Sequence, residues 1–109
     1  MTTAGADAKA LAKHILKVAP KSAKVILENE LVRVIKINMG KGQRIPMHSH
    51  SKGLSYSLNK GKIRSTDEHG KSRVFEVKKG ELSWSEEGDS HAVENLGGIL
   101  RELSIEFKG

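Results

Sequence analysis

The sequence predicts an all-β fold, an antiparallel sandwich or barrel, preceded by a short N-terminal helix or arm. Two observations carry this prediction. From residue 24 onward the chain consists of short β-type runs, and a turn signal separates each run from the next about every ten residues. Short strands at this spacing are typical of antiparallel sandwiches and barrels. A chain of 109 residues has room for one such domain.

The N-terminal arm comprises residues 1–23, with a helix expected over residues 4–18. Leu11, Ile15 and Val18 fall on one helical face, and lysines repeat every four residues on another. A proline ends the pattern. Two interpretations are open: a short amphipathic helix packed on the barrel, or a basic helix that meets an acidic partner or a membrane surface.

The barrel domain comprises residues 24–109. Its β-type runs are residues 24–27, 31–37, 56–58, 63–66, 73–77, 82–84 and 103–107. The last run alternates clearly, because Leu103, Ile105 and Phe107 face one way and the polar residues between them face the other. Such alternation is typical of a strand with two different surroundings on its two faces.

Composition limits the possible partners and compartments. The formal net charge is +6, but the basic residues are spread along the chain and only four side chains are aromatic. No helix-turn-helix or zinc-finger spacing occurs, so no specific nucleic-acid partner is expected. The sequence shows no apolar run of membrane-spanning length, no secretory signal and no cysteine. We therefore expect a cytoplasmic protein without a membrane association.

Three of the five histidines form a candidate metal site. His48 and His50 are separated by one residue, so their side chains share one face of a strand. A third histidine, His91, follows a turn at the start of another β-like stretch. His14 in the predicted helix and His69 beside a glycine are expected to be solvated. Without cysteine, any metal must be held by His, Asp, Glu or water.

Two runs of the sequence resemble the two cupin motifs. Residues 42–61 contain the His-x-His pair between two glycines, and residues 80–95 contain glycines, His91 and Asn95 at the family spacing. The resemblance extends over residues 28–107, most of the chain. It implies a small, single-domain, RmlC-like cupin with an antiparallel jelly-roll β-barrel.

The resemblance implies a divalent transition metal bound by His48, His50 and His91. Iron, manganese, copper, nickel, cobalt and zinc are all compatible with these ligand types. The glutamate that usually completes the family's site is missing, since Leu54 stands at its position and Ser55 at the alternative spacing. Three neutral ligands leave the ion its full double charge, which favours an anionic, chelating ligand.

This ligand set implies a metal-dependent dioxygenase or isomerase that acts on a small, oxygen-rich anionic molecule, because three-histidine cupins include iron-dependent oxygenases. The alternative is a non-catalytic cupin, with or without metal, that binds a small molecule. No organic cofactor is implied. Because a domain of this size buries a modest fraction of its surface, we also expect a homodimer.

Several other side chains are expected near the site. Tyr56, which points inward if Leu54 does, is the candidate catalytic residue that donates a hydrogen bond to a bound oxygen ligand; the alternative is a core tyrosine with its hydroxyl at the rim. Trp84 is expected in the apolar wall and Met47 outside the barrel. Asn95 is expected to fix a turn at a strand end rather than to contact substrate.

Overall fold

Two antiparallel β-sheets form the fold in the computed structural model, which describes residues 14–108. A short helix, α1 (Ile15–Val18), precedes nine strands within this range. The strands are β1 (Ala23–Glu28), β2 (Val32–Met39), β3 (Arg44–Ser49), β4 (Gly53–Ser57), β5 (Gly61–Asp67), β6 (Ser72–Val77), β7 (Leu82–Ser85), β8 (Ser90–Asn95) and β9 (Leu100–Phe107). The predicted all-β fold is confirmed, whereas most of the helix expected over residues 4–18 lies outside the described residues.

The strand order places the last strand, β9, between β2 and β4. The five-stranded sheet has the order β1-β2-β9-β4-β7, and the four-stranded sheet has the order β3-β8-β5-β6. Consecutive strands repeatedly change sheets, for example between β2 and β3 and again between β3 and β4. This winding closes the two sheets into the jelly-roll barrel that the sequence predicts.

The interior of the five-stranded sheet can be read from its register. Ile35, Ser104, Ser55 and Ser83 form one row across four neighbouring strands; the three serines line the cavity between the sheets, and Ile35 is fully buried beside them. The next row contains apolar side chains on the opposite, outer face. That row is Leu27, Val34, Ile105, Leu54 and Trp84. The alternation predicted for β9 is present, with its polar side chains inside.

The apolar core occupies one end of the barrel. Its buried side chains are Ile15, Ala23, Ile35, Ile37, Met39, Ile45 and Leu100. Asn95 closes this end with 0 % exposure. Its amide group donates to the carbonyls of Met39, Gly40 and Gly98 and accepts from the Gly97 N–H. The expectation that Asn95 fixes a turn is therefore confirmed.

Strand β3 contains an irregularity that determines where its side chains face. The pairing of β3 with β8 shifts between Ile45 and His48, as in a β-bulge. Ile45 and His48 are both buried, whereas Pro46 and Met47 between them are exposed. A strand without a bulge would not bury two residues three positions apart. The position expected for Met47, outside the barrel, is confirmed.

Within residues 14–108, the structure contains no helix that is long and apolar enough to cross a bilayer.

Candidate metal centre

The three histidines of the sequence prediction meet at one point inside the barrel. Their ring centroids are between 4.7 and 4.9 Å apart, and one ring nitrogen from each lies within 4.8 Å of the others. His48 of β3 and His91 of β8 are direct cross-strand partners. His50 follows β3, and its backbone N–H donates to the Asp89 carbonyl over 2.8 Å. Two strands and one turn thus bring the three rings together.

Neighbouring groups orient the rings so that one nitrogen of each faces the shared space. The Nδ1–H of His48 donates to the Pro46 carbonyl over 2.8 Å, which leaves its Nε2 free as an acceptor. His91 has Ser65 Oγ 3.3 Å from Nδ1, and its Nε2 lies 2.7 Å from His50 Nε2. Such outer contacts are typical of histidines that bind metals.

Burial keeps the three imidazoles neutral. Together with repulsion between the neighbouring rings, burial lowers the pKa of His50 to about 4 and that of His91 to about 3. Burial also lowers the pKa of His48, against a hydrogen bond with the Pro46 carbonyl that favours the charged ring. At neutral pH each ring therefore has an unprotonated nitrogen, which is the form that a metal requires. These three residues fit a divalent ion by type, protonation and spacing.

The histidines lie in the wall of a cavity of about 270 Å³. Its polar wall is made mainly by serines of the strands; those lining the cavity are Ser55, Ser57, Ser83, Ser85, Ser90 and Ser104. Asp89 and Glu102 are its two carboxylic acids. Among the described residues that line it, none is lysine or arginine. The cavity therefore offers hydroxyls and two acids, and the candidate metal site is its only source of positive charge at neutral pH.

On strand β4, Ser55 rather than Leu54 faces the cavity, as the alternative spacing of the first cupin motif indicates. Ser55 lines the cavity, whereas Leu54 does not and pairs with Ile105 and Trp84 in the outer apolar row. Because neighbouring residues of a strand face opposite sides, only one of the two can face the histidines. The position equivalent to the missing glutamate is therefore Ser55.

The structure does not bring Tyr56 to the three histidines. Tyr56 shares the outer face of β4 with Leu54, is 37 % exposed and is not among the cavity-lining residues. The condition for its inward orientation, an inward Leu54, is not met. Trp84 touches the cavity but is 51 % exposed, and its ring lies 6.1 Å from that of Phe107 on the outside.

Glu102 is a cavity residue that the sequence analysis missed. It lies on β9 between Leu100 and Ser104 and shares their inward face. The alternation in β9 separated polar from apolar residues but gave no sign of which set lies inside. Burial raises the pKa of the Glu102 carboxyl to about 7.

A second buried pair lies beside the metal centre, and it corrects the expectation that His14 is solvated. His14 is 5 % exposed, and its Nε2 lies 2.5 Å from Glu106 Oε2. Its Nδ1 accepts from the Leu16 N–H, so Nε2 carries the proton and donates to the carboxylate. Arg33 lies 3.5 Å from the other Glu106 oxygen. His69, by contrast, is exposed as expected, with 83 % of its side-chain surface accessible.

The fold matches solved structures. A cupin domain protein from Bordetella pertussis has a TM-score of 0.74 and 24% identity, over 80% of this chain and 92% of that chain. A conserved protein with a double-stranded β-helix domain from Klebsiella pneumoniae has a TM-score of 0.63 and 22% identity, over 76% and 72% of the two chains.

A predicted oxalate decarboxylase from Thermotoga maritima has a TM-score of 0.57 and 23% identity, over 76% of each chain. No protein-family model and no curated protein sequence matches this chain. The structural matches establish that the chain has the double-stranded β-helix fold of cupins and RmlC-like proteins.

Proposed function

We propose that this protein holds a divalent transition metal through His48, His50 and His91 and binds a small, oxygen-rich anion at that ion. The observation that carries the proposal is the convergence of three neutral imidazoles, with one nitrogen of each within 4.8 Å of the others, in a cavity wall. We further propose that the bound molecule is converted by a reaction of the dioxygenase or isomerase class, as the resemblance to three-histidine cupins implies.

The charges in the cavity support an anionic ligand whose binding requires the metal ion. An anion that enters the cavity meets Asp89 and Glu102 but no lysine or arginine among the described lining residues. Without an ion, its negative charge would be desolvated without a cationic partner, which is unfavourable by several kcal/mol. A divalent ion on three neutral ligands supplies that partner and acts as a Lewis acid towards a ligand oxygen.

The serine hydroxyls support an oxygen-rich ligand. Ser55, Ser57, Ser83 and Ser104 all face the cavity from the five-stranded sheet. Each hydroxyl can donate one hydrogen bond and accept others, so these residues suit carboxylate, carbonyl and hydroxyl oxygens alike. The volume of about 270 Å³ limits the ligand to a small molecule.

The test is the metal content of the purified protein after separate loading with iron, manganese, copper, nickel, cobalt and zinc. We expect one ion per chain in the wild type and none in the double variant His48→Ala/His91→Ala. His69→Ala is the matched control, because His69 is an exposed histidine away from the cavity. It should retain one ion per chain.

Screening for turnover follows on the loaded protein. Oxygen consumption with the iron form and small diketones or hydroxy acids would support the dioxygenase class, and an isomerised product without oxygen consumption would support the isomerase class. Tight, metal-dependent binding without turnover would support the alternative of a non-catalytic binding cupin. Unchanged metal content in the double variant would contradict the proposed site.

A further inference from the structure

Glu102 is a carboxylic acid in the cavity wall to which the metal centre assigns no role. It lies near the middle of β9, in register with Ile37 of β2 and Ser57 of β4. Its side chain lines the same cavity as the three histidines, and it makes no hydrogen bond or ion pair with any other residue of the range 14–108. A carboxylic acid that lines a cavity without a partner from the protein is available to contact a ligand bound there.

The surroundings of Glu102 offer no charge that would fix its protonation state. Its two strand neighbours, Ile37 and Ser57, are uncharged. On β9 itself, the next inward acid, Glu106, is already bonded to His14 and Arg33. The remaining ionisable side chains that line the cavity are the three neutral histidines and Asp89.

From this placement we infer that Glu102 contacts the ligand and carries a proton. When an anion binds in the cavity, the protein takes up one proton from solvent, and this proton stays on the Glu102 carboxyl. The inference rests on the proposed function, since the anion is the ligand of the metal. The balance is simple: ionised Glu102, one proton from solvent and the anion give a neutral Glu102 carboxyl hydrogen-bonded to the anion.

Electrostatics favour this coupling because Glu102 lies in a largely buried part of the cavity wall. An ionised Glu102 would repel an incoming anion across a medium of low dielectric constant. Once protonated, the same carboxyl becomes a hydrogen-bond donor to a ligand oxygen. The raised pKa of Glu102, about 7, means that the free protein is already poised between the two forms near neutral pH. A bound divalent ion favours the ionised form, and the anion then reverses that effect.

The experiment uses the cobalt-loaded protein with oxalate as the probe, a small dianion that chelates through two oxygens. Visible absorption of the cobalt site reports binding of the ion and of oxalate. Calorimetry in buffers of different ionisation enthalpy then gives the number of protons taken up on oxalate binding. We expect the wild type to take up nearly one proton at pH 8 and less at lower pH, as more of the Glu102 carboxyl is protonated before oxalate binds.

Glu102→Gln keeps the size and the donor of the protonated carboxyl but cannot titrate. It should bind oxalate without the pH-dependent proton uptake, and at pH 8 about tenfold or more tightly than the wild type does. Glu76→Gln is the matched control, because Glu76 is exposed on β6. It should behave as the wild type in both measurements, and thermal melting confirms that each variant is folded.

The outcomes separate the two proposals. A wild type that retains no cobalt overturns the proposed function and this inference together. A wild type that binds cobalt and oxalate, but whose proton uptake is unchanged in Glu102→Gln, overturns only the role of Glu102. Loss of uptake in Glu102→Gln and not in Glu76→Gln supports it.

Discussion

The two faces of the five-stranded sheet differ most around the cavity. Beyond the apolar core at one end, the inner face has serines together with Glu102 and Glu106, while the outer face has the apolar row of Leu27, Val34, Ile105, Leu54 and Trp84. Sheets with one solvated face ordinarily place apolar side chains inside. The inner face therefore suits the polar ligand proposed above, and the outer face exposes more apolar surface than a solvated sheet face usually does.

The outer face remains accessible in the single chain. Leu82 is 60 % exposed, and Trp84 and Leu27 are also exposed. A contiguous apolar patch of this kind is typical of a protein–protein contact. The expected homodimer therefore has a candidate interface, formed by the outer faces of two five-stranded sheets.

The largest effect is expected on this outer face. Leu82→Glu introduces a charge into the outer apolar face beside Trp84, and we expect it to weaken self-association by about a thousandfold, because a charge buried at such a contact is left without a partner. Analytical ultracentrifugation over a range of concentrations measures the change. Val74→Glu is the control, since Val74 is similarly exposed on the outer face of the other sheet. A wild type that is monomeric at all concentrations would contradict the dimer.

The next largest effect is expected on the inner face. The pKa of Glu102 is about 7 in the folded protein and 4.5 as its ordinary value. Between these values the folded state holds more protons than the unfolded state, so Glu102 makes the metal-free protein progressively less stable as pH rises from 4.5 to 7. The full loss is on the order of 3 kcal/mol. Above that window the difference is constant.

Denaturant unfolding of the wild type and Glu102→Gln at several pH values measures this contribution. The free energy of unfolding of the variant minus that of the wild type should grow between pH 4.5 and pH 7, since the amide does not titrate. Subtraction removes the contributions of other groups, including the His14–Glu106 pair. A difference that does not vary with pH would mean that Glu102 titrates normally.

The smallest effect tests which residue of β4 faces the ion. Ser55→Glu restores a carboxylate on the inner face and should tighten divalent metal binding about tenfold or more, because an anionic ligand offsets one unit of the metal charge. Leu54→Glu carries the same change on the outer face and should leave metal affinity unchanged. Competition titration with a chelating dye measures both. The opposite order of affinities would contradict the strand register.

Much of the fold and the histidine cluster follows from local patterns. Turn signals and period-two alternation depend on neighbouring residues, so the strands of the barrel could be predicted from the sequence. His48 and His50 share a face because they are one residue apart. His91 was identified by its position after a turn and by the resemblance to the second cupin motif.

The missed features depend on contacts between distant parts of the chain. His14 can be buried because Glu106, 92 residues away in sequence, accepts a hydrogen bond from its ring. Glu102 and Ser55 face the cavity because the apolar sides of their strands lie outside. Hydrophobicity alone would have assigned those sides to the core. Alternation separates the two faces of a strand, but tertiary structure decides which of them is inside.

The bulge in β3 also protects the protein from unwanted strand pairing. β3 is an edge strand of its sheet, and edge strands are where other chains add and aggregates begin. Pro46 has no N–H to offer there, and the shifted pairing between Ile45 and His48 bends the strand away from a straight template. Because the Pro46 carbonyl also accepts a hydrogen bond from the His48 ring, the same irregularity orients a candidate metal ligand and disfavours the addition of another strand at this edge. A deletion that straightened the strand would be expected to damage both properties together.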